Sequence, residues 1–198
     1  MFIEEYEHIK NYALEYLNYD KLILPSHYHD SLILHNTGHA RRVLIHSLIL
    51  ASMKRLTDYE RGILCEAAVY HDIGRMNDSV DSSHGLRSWR KYILKVCADK
   101  ALDEKKEAVR FLIINHCFEQ KDIGKFDSVS IINTYKHLLF LLKDADALDR
   151  VRNKKLDIRY LQSEESLSLV PFASILYDNE QEVHNYITQA ANIIAIAN

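Results

Sequence analysis

Only five glycines and two prolines punctuate these 198 residues, while Leu, Ile, Ala, Glu and Lys recur throughout. A many-stranded sheet needs frequent turns, and turns draw on Gly and Pro; long helices need neither. The scarcity of breakers therefore predicts an all-α fold, a compact multi-helix bundle. Hydrophobic residues make up 47% of the chain, enough at this length for one continuous core, so a single domain over 1–198 is expected.

Apolar spacing and capping chemistry place the helices. Ile3, Tyr6, Ile9, Ala13 and Leu17 fall three or four apart and predict one helix with a buried stripe. Leu22 to Leu34 contains Pro25 and reads as a connection. A second helix is expected to start near Asn36 or Thr37, either of which can accept from free backbone amides, and to run through Leu56 with His39 on it. Thr57-Asp58-Tyr59-Glu60 has the form of a capping box, and the apolar run behind it leads to His71, with Gly74 placed to end the helix. Further helices are expected over Asp81 to Val96, Asp103 to Cys117, Ile131 to Val151 and Glu180 to Ile196. Pro171 and several serines leave the stretch from Asn153 to Asp178 unassigned.

The formal charge of −3 and a pI near 6.4 supply no field that would draw the protein onto a polyanion, so bulk nucleic acid is not an expected partner. Two local basic clusters stand out, Arg41-Arg42 and the Arg150 to Lys155 stretch; each either holds a phosphate or faces water, and water is the commoner case. Cys65, Cys97 and Cys117 are far apart and lack a Cys-x-x-Cys spacing, so they read as buried thiols in a reducing compartment. The acidic, mixed start from Met1 to Lys10 does not resemble a secretory signal, and no run approaches the roughly 18 apolar residues of a membrane span. A cytoplasmic protein is the expectation, with self-association into a homo-oligomer left open.

Imidazoles and carboxylates set in otherwise apolar helices carry the chemistry: His39, then His71-Asp72, His84, His116 and Asp144. His71 follows Ala67-Ala68-Val69-Tyr70, His116 follows Phe111 to Ile114, and Asp144 follows Leu138 to Leu142. A buried carboxylate without a partner is costly, so two of them among several histidines suggest a shared cation. Neutral imidazole plus carboxylate without thiolate suits a divalent transition ion, Mn, Fe, Co, Ni or Zn, with Mg also admitted.

The ordered set His39 in His35-Asn36-Thr37-Gly38-His39, His71-Asp72 in His71-Asp72-Ile73-Gly74-Arg75, and Asp144 in Lys143-Asp144-Ala145-Asp146 resembles the HD superfamily of metal-dependent phosphohydrolases. The resemblance covers about residues 35–152, with a C-terminal helical part over 153–198. It implies a helical bundle with one or two metal ions at its centre. His84 and His116 match the extra histidines of the two-metal branch. Asp72 would then bridge both ions, with His39, His71 and Asp144 on the first and His84 and His116 on the second. With a single ion, His84 and His116 would instead bind phosphate or protonate the leaving oxygen, so Asp72, His84 and His116 are the catalytic candidates.

The activity implied is hydrolysis of a phosphate ester or anhydride of a small metabolite, a nucleotide foremost, by water that the metal activates to hydroxide for in-line attack. Neither a Gly-x-Ser-x-Gly elbow nor a Gly-rich phosphate loop is present. Arg75 is the leading substrate contact, or else a partner of Asp78 or Asp81; Arg42 and Lys143 follow it. His35 and His46 read as supporting or core residues, and Tyr70 and Trp89 as core and helix-packing residues, with stacking on a base or sugar as the alternative. Asp146 and Asp149 are candidates to orient ligand imidazoles, Asp149 by default pairing with Arg150 or Arg152. The alternatives are a di-iron oxygenase of the same superfamily and a nucleotide-binding regulatory module without turnover. Because the step from Asp72 to His84 is only twelve residues, the intervening loop must fold back sharply if both are to reach one site.

Overall fold

The computed structural model describes residues 3–96 and 102–197; the side chains of Ile3 and Tyr6, and all of Cys97, lie outside the described part. Among the described residues there is no strand, and ten α-helices follow one another: α1 (Ile3–Lys10), α2 (Ala13–Asp20), α3 (Thr37–Met53), α4 (Asp58–Tyr70), α5 (His84–Lys91), α6 (Glu104–Asn115), α7 (Val129–Leu148), α8 (Glu164–Ser168), α9 (Val170–Asp178) and α10 (Glu180–Ala197). The all-α expectation holds. No described helix is long and apolar enough to cross a membrane.

Helix starts follow the local chemistry read from sequence. The Asn36 side chain accepts from the amides of Gly38 and His39 and opens α3. Thr57 and Glu60 complete the reciprocal capping box of α4, and Asp103 caps α6 by accepting from Lys106. The expected first helix is instead two, because the chain turns at Asn11-Tyr12; Ile9, Ala13 and Tyr16 are buried on either side of that turn. α3 stops three residues short of Leu56, where Arg55 takes a left-handed backbone conformation. α5 begins at His84 rather than Asp81 and passes into a π-type turn, Tyr92–Val96. The unassigned stretch holds a 3-10 turn at Ile158–Tyr160 and the helices α8 and α9, with Pro171 in the first turn of α9, where its missing N–H costs nothing.

α3 is the spine of the bundle. From Val43 to Ala51 every residue is buried, the signature of a helix surrounded by others, and it packs against α4, α7, α1 and α2. α4, α6 and α7 close the central layer around it, and α10 lies on α2. Tyr70, Trp89 and Tyr92 belong to this core, with the Trp89 and Tyr92 rings stacked at 5.4 Å.

α5 is seated by backbone contact. A Cβ added at Gly74 would lie 2.2 Å from the Ser88 nitrogen and 2.7 Å from the His84 carbonyl; one at Gly85 would lie 2.6 Å from the Ile113 carbonyl. Gly74 does not adopt the left-handed conformation of a helix-ending glycine, and α4 has already finished at Tyr70. It is needed for close approach instead. The Gly74 amide donates to Ser88 Oγ (2.8 Å) and Arg87 Nε donates to the Gly74 carbonyl (3.0 Å), which folds the short Asp72–His84 segment back.

Replacing Gly74 with Ala should therefore lower stability by about 1–3 kcal/mol or more, as overpacking against backbone does. Urea unfolding monitored by circular dichroism checks this; a midpoint equal to the wild type would show that α5 does not sit this close.

Candidate metal centre

Five elements end at one place. His39 occupies the first turn of α3, His71 caps the C-terminus of α4 with Asp72 next, His84 opens α5, His116 caps the C-terminus of α6, and Asp146 stands in the last turn of α7. The C-terminal ends of three helices, α4, α6 and α7, meet there, and the partial negative charge of their free carbonyls favours a cation.

The side chains converge in two groups joined by Asp72. Around Asp72 Oδ2, His39 Nε2 lies at 3.4 Å and His71 Nε2 at 3.6 Å, and Asp146 Oδ1 is 3.4 Å from His39 Nε2. Around Asp72 Oδ1, His84 Nε2 lies at 3.0 Å and His116 Nε2 at 3.4 Å. All four histidines are buried, and Asp72 is 2% exposed.

The outer nitrogens settle the tautomers. His71 Nδ1 donates to the Ala68 carbonyl (2.8 Å), His116 Nδ1 to the Ile113 carbonyl (2.7 Å) and His84 Nδ1 to the Asp81 carbonyl, each three residues upstream; His39 Nδ1 donates to Asp149 Oδ2 (2.7 Å). Carbonyls and carboxylates only accept, so each neutral ring must turn the lone pair of Nε2 inward. His39 and His71 then face each other across 3.2 Å, and His84 and His116 across 2.8 Å. Asp72 Oδ1, although close to His84, has no aligned hydrogen-bond partner. Inward lone pairs and an orphaned buried carboxylate oxygen repel one another unless a cation lies among them. The donor set therefore fits a metal ion, and the His/Asp groups are positioned to hold one.

Electrostatics agree. Burial pushes His71 down and His116 down to about 3, which keeps both rings neutral at physiological pH. Burial and Arg152 act in the same sense on His39, but its hydrogen bonds to Asp149 and Asp72 outweigh them and raise it. Against the cost of burial, the surrounding imidazoles hold the carboxyls of Asp72 and Asp146 below their usual range.

The expected ligand Asp144 does not reach the cluster; Asp146 stands beside His39 in its place. The two positions are about 200° apart on a helix, so only one can face His39. Asp144 points to the far side of α7, where it accepts from the amides of Gln162 (2.8 Å) and Ser163 (3.1 Å) and from Ser163 Oγ (2.9 Å) and so fixes the approach to α8. Asp144 is the first carboxylate after the apolar run Leu138 to Leu142, which is why the sequence pattern points to it. The signal for Asp146 was its spacing from Asp149, three residues on and on the same face.

Asp149 does both things considered for it. It accepts from His39 and pairs with Arg152 (2.9 Å) and Arg42. Arg42, expected at the substrate, is instead buried between Asp149 and Glu180. Arg41 likewise does not simply face water but pairs with Asp20 (2.7 Å). Lys143 Nζ donates to the carbonyls of His116 (2.7 Å) and Phe118 (2.8 Å), a tether for the segment after α6, while remaining at the cavity wall. Arg75 Nε donates to Asp72 Oδ2 (3.0 Å), not to Asp78 or Asp81. His35 donates to Asp78 (2.7 Å), and His46 lies deeper on α3, edge-on to Phe172. Cys65 is buried as expected, but Cys117 is only partly so and lies beside His84 and His116.

A cavity of about 520 Å³ opens from His84, His116 and Asp146, bounded by Arg75, Lys143, Phe118 and Tyr160. No family model, curated protein or solved structure matches the chain, so the functional reading rests on the chemistry of this site.

Two single substitutions separate the neighbouring aspartates. Asp146→Asn should weaken metal retention on the order of 10- to 100-fold or more, whereas Asp144→Asn should leave metal content as in the wild type and cost about 1–3 kcal/mol of stability. Elemental analysis with thermal unfolding reads both, and metal loss in Asp144→Asn alone would reverse the assignment.

Proposed function

We propose that the protein is a metal-dependent phosphohydrolase of the HD type, acting on a phosphate ester or anhydride of a small metabolite. The observation that carries this reading is the carboxylate of Asp72 set between two imidazole pairs, one oxygen toward each. His39, His71 and Asp146 would hold one ion, His84 and His116 the other, with Asp72 shared. When bound, divalent ions supply Lewis acidity, neutralising phosphoryl charge and lowering the pKa of water.

The chain's own residues do the rest. Asp149 and the three upstream carbonyls fix the ring orientations; Arg75 holds Asp72 while its side chain borders the cavity, where a guanidinium suits phosphoryl oxygens. Lys143, on the same wall, adds positive charge beside His116. Phe118 and the exposed Tyr160 offer aromatic faces for a base or sugar, which favours a nucleotide among small phosphorylated metabolites.

Purified protein loaded with Mn, Co or Ni should release phosphate from a generic ester or a nucleotide panel, and Asp72→Ala should lower the rate on the order of 100-fold or more. Phosphate assays across these metals decide it: turnover no greater than that of Asp72→Ala would remove the proposal. Activity that requires iron and oxygen, and vanishes with Zn, would favour the oxygenase reading.

A further inference from the structure

The basic stretch after α7 is not absorbed by the metal centre. A second hollow of about 220 Å³ adjoins the main cavity, and Arg75, Val80, Asp146 and Arg150 border both. Its wall brings together four cations, Arg75, Arg150, Arg152 and Lys155.

Local backbone geometry builds this cluster. A 3-10 turn, Asp149–Asn153, ends at Lys154 in the left-handed conformation, and the Lys155 amide closes back onto the Arg150 carbonyl (3.2 Å) and onto Asn153 Oδ1 (3.1 Å). The residues bearing the two exposed cations are thus tied together by a backbone hydrogen bond. Among the described residues neither the Arg150 nor the Lys155 side chain has a hydrogen-bond or ion-pair partner. Arg152 is anchored through Nη1 to Asp149, yet its side chain is only 4% exposed and its buried Nε has no partner. The two acidic residues at the wall are committed elsewhere: Asp78 to His35 and the amides of Ile33 and Leu34, Asp146 toward His39.

Like charges gathered around a hollow repel, and an unsatisfied buried guanidinium nitrogen adds to the cost. An anion with several acceptor oxygens offsets both. We infer that this hollow is a second phosphoryl subsite, built by Arg150, Arg152 and Lys155, which selects small substrates carrying two separated phosphoryl groups. One group occupies the metal centre and the other this annex. The assignment of the first group rests on the hydrolytic reading; the annex itself rests on its own residues.

Matched pairs differing by one phosphoryl group test it: AMP with adenosine 3′,5′-bisphosphate, and fructose 6-phosphate with fructose 1,6-bisphosphate. Titration calorimetry on metal-loaded protein, with Ca²⁺ replacing the transition ion to hold back turnover, gives each dissociation constant. In at least one pair the bisphosphate should bind tenfold or more tighter, and the Arg150→Ala/Lys155→Ala double variant should lose that preference. Both positions are exposed, and circular dichroism checks that the variant is folded. Equal affinity within both pairs, or a preference that survives the double substitution, would overturn the inference. Because affinity is read without turnover, a protein that prefers bisphosphates yet hydrolyses nothing with any metal would keep the subsite and lose the hydrolytic reading.

Discussion

Crowding of unshared electron pairs at one end of the bundle is the constraint on which the rest depends. Four imidazoles, each held by its outer hydrogen bond so that Nε2 turns inward, surround a carboxylate that is almost wholly withdrawn from water. Such an arrangement is unfavourable without positive charge, and nothing in a hydrophobic bundle of this kind requires it for folding. The helices are arranged around that demand: three of them bring their carbonyl ends to it, and α3 runs from it through the centre of the core.

Much of this was legible in the sequence because the signals are local. An asparagine before α3, a Thr-x-x-Glu before α4 and an aspartate before α6 each satisfy backbone amides within a few residues, so composition and spacing alone locate those starts. The histidines stood out for a related reason: a polar ring in an apolar run must have a partner. What sequence could not convey was direction around a helix axis when two candidates sit two residues apart. Asp144 and Asp146 share the same neighbourhood in the chain but lie on opposite faces of α7, and only the position of α3 decides which one meets His39.

The same limit explains the breaks. The turn at Asn11-Tyr12 interrupts a continuous apolar period because α1 and α2 must both lie against α3, which a straight helix does not allow. Gly74 looked like a helix stop because glycine commonly plays that part; its real partner, the backbone of α5, is fourteen residues on at Ser88 and invisible to local reading.

That contact has a consequence for how the protein can diverge. His84 is delivered to Asp72 by main chain lying on main chain, at Gly74 and Gly85, and not by the side chains on the outward face of α5. Leu86 and Arg90, which look toward solvent, are therefore free to drift in sequence while the imbedded imidazole stays in register. The two glycines, which carry no chemistry of their own, are the positions where the smallest change would separate one half of the centre from the other.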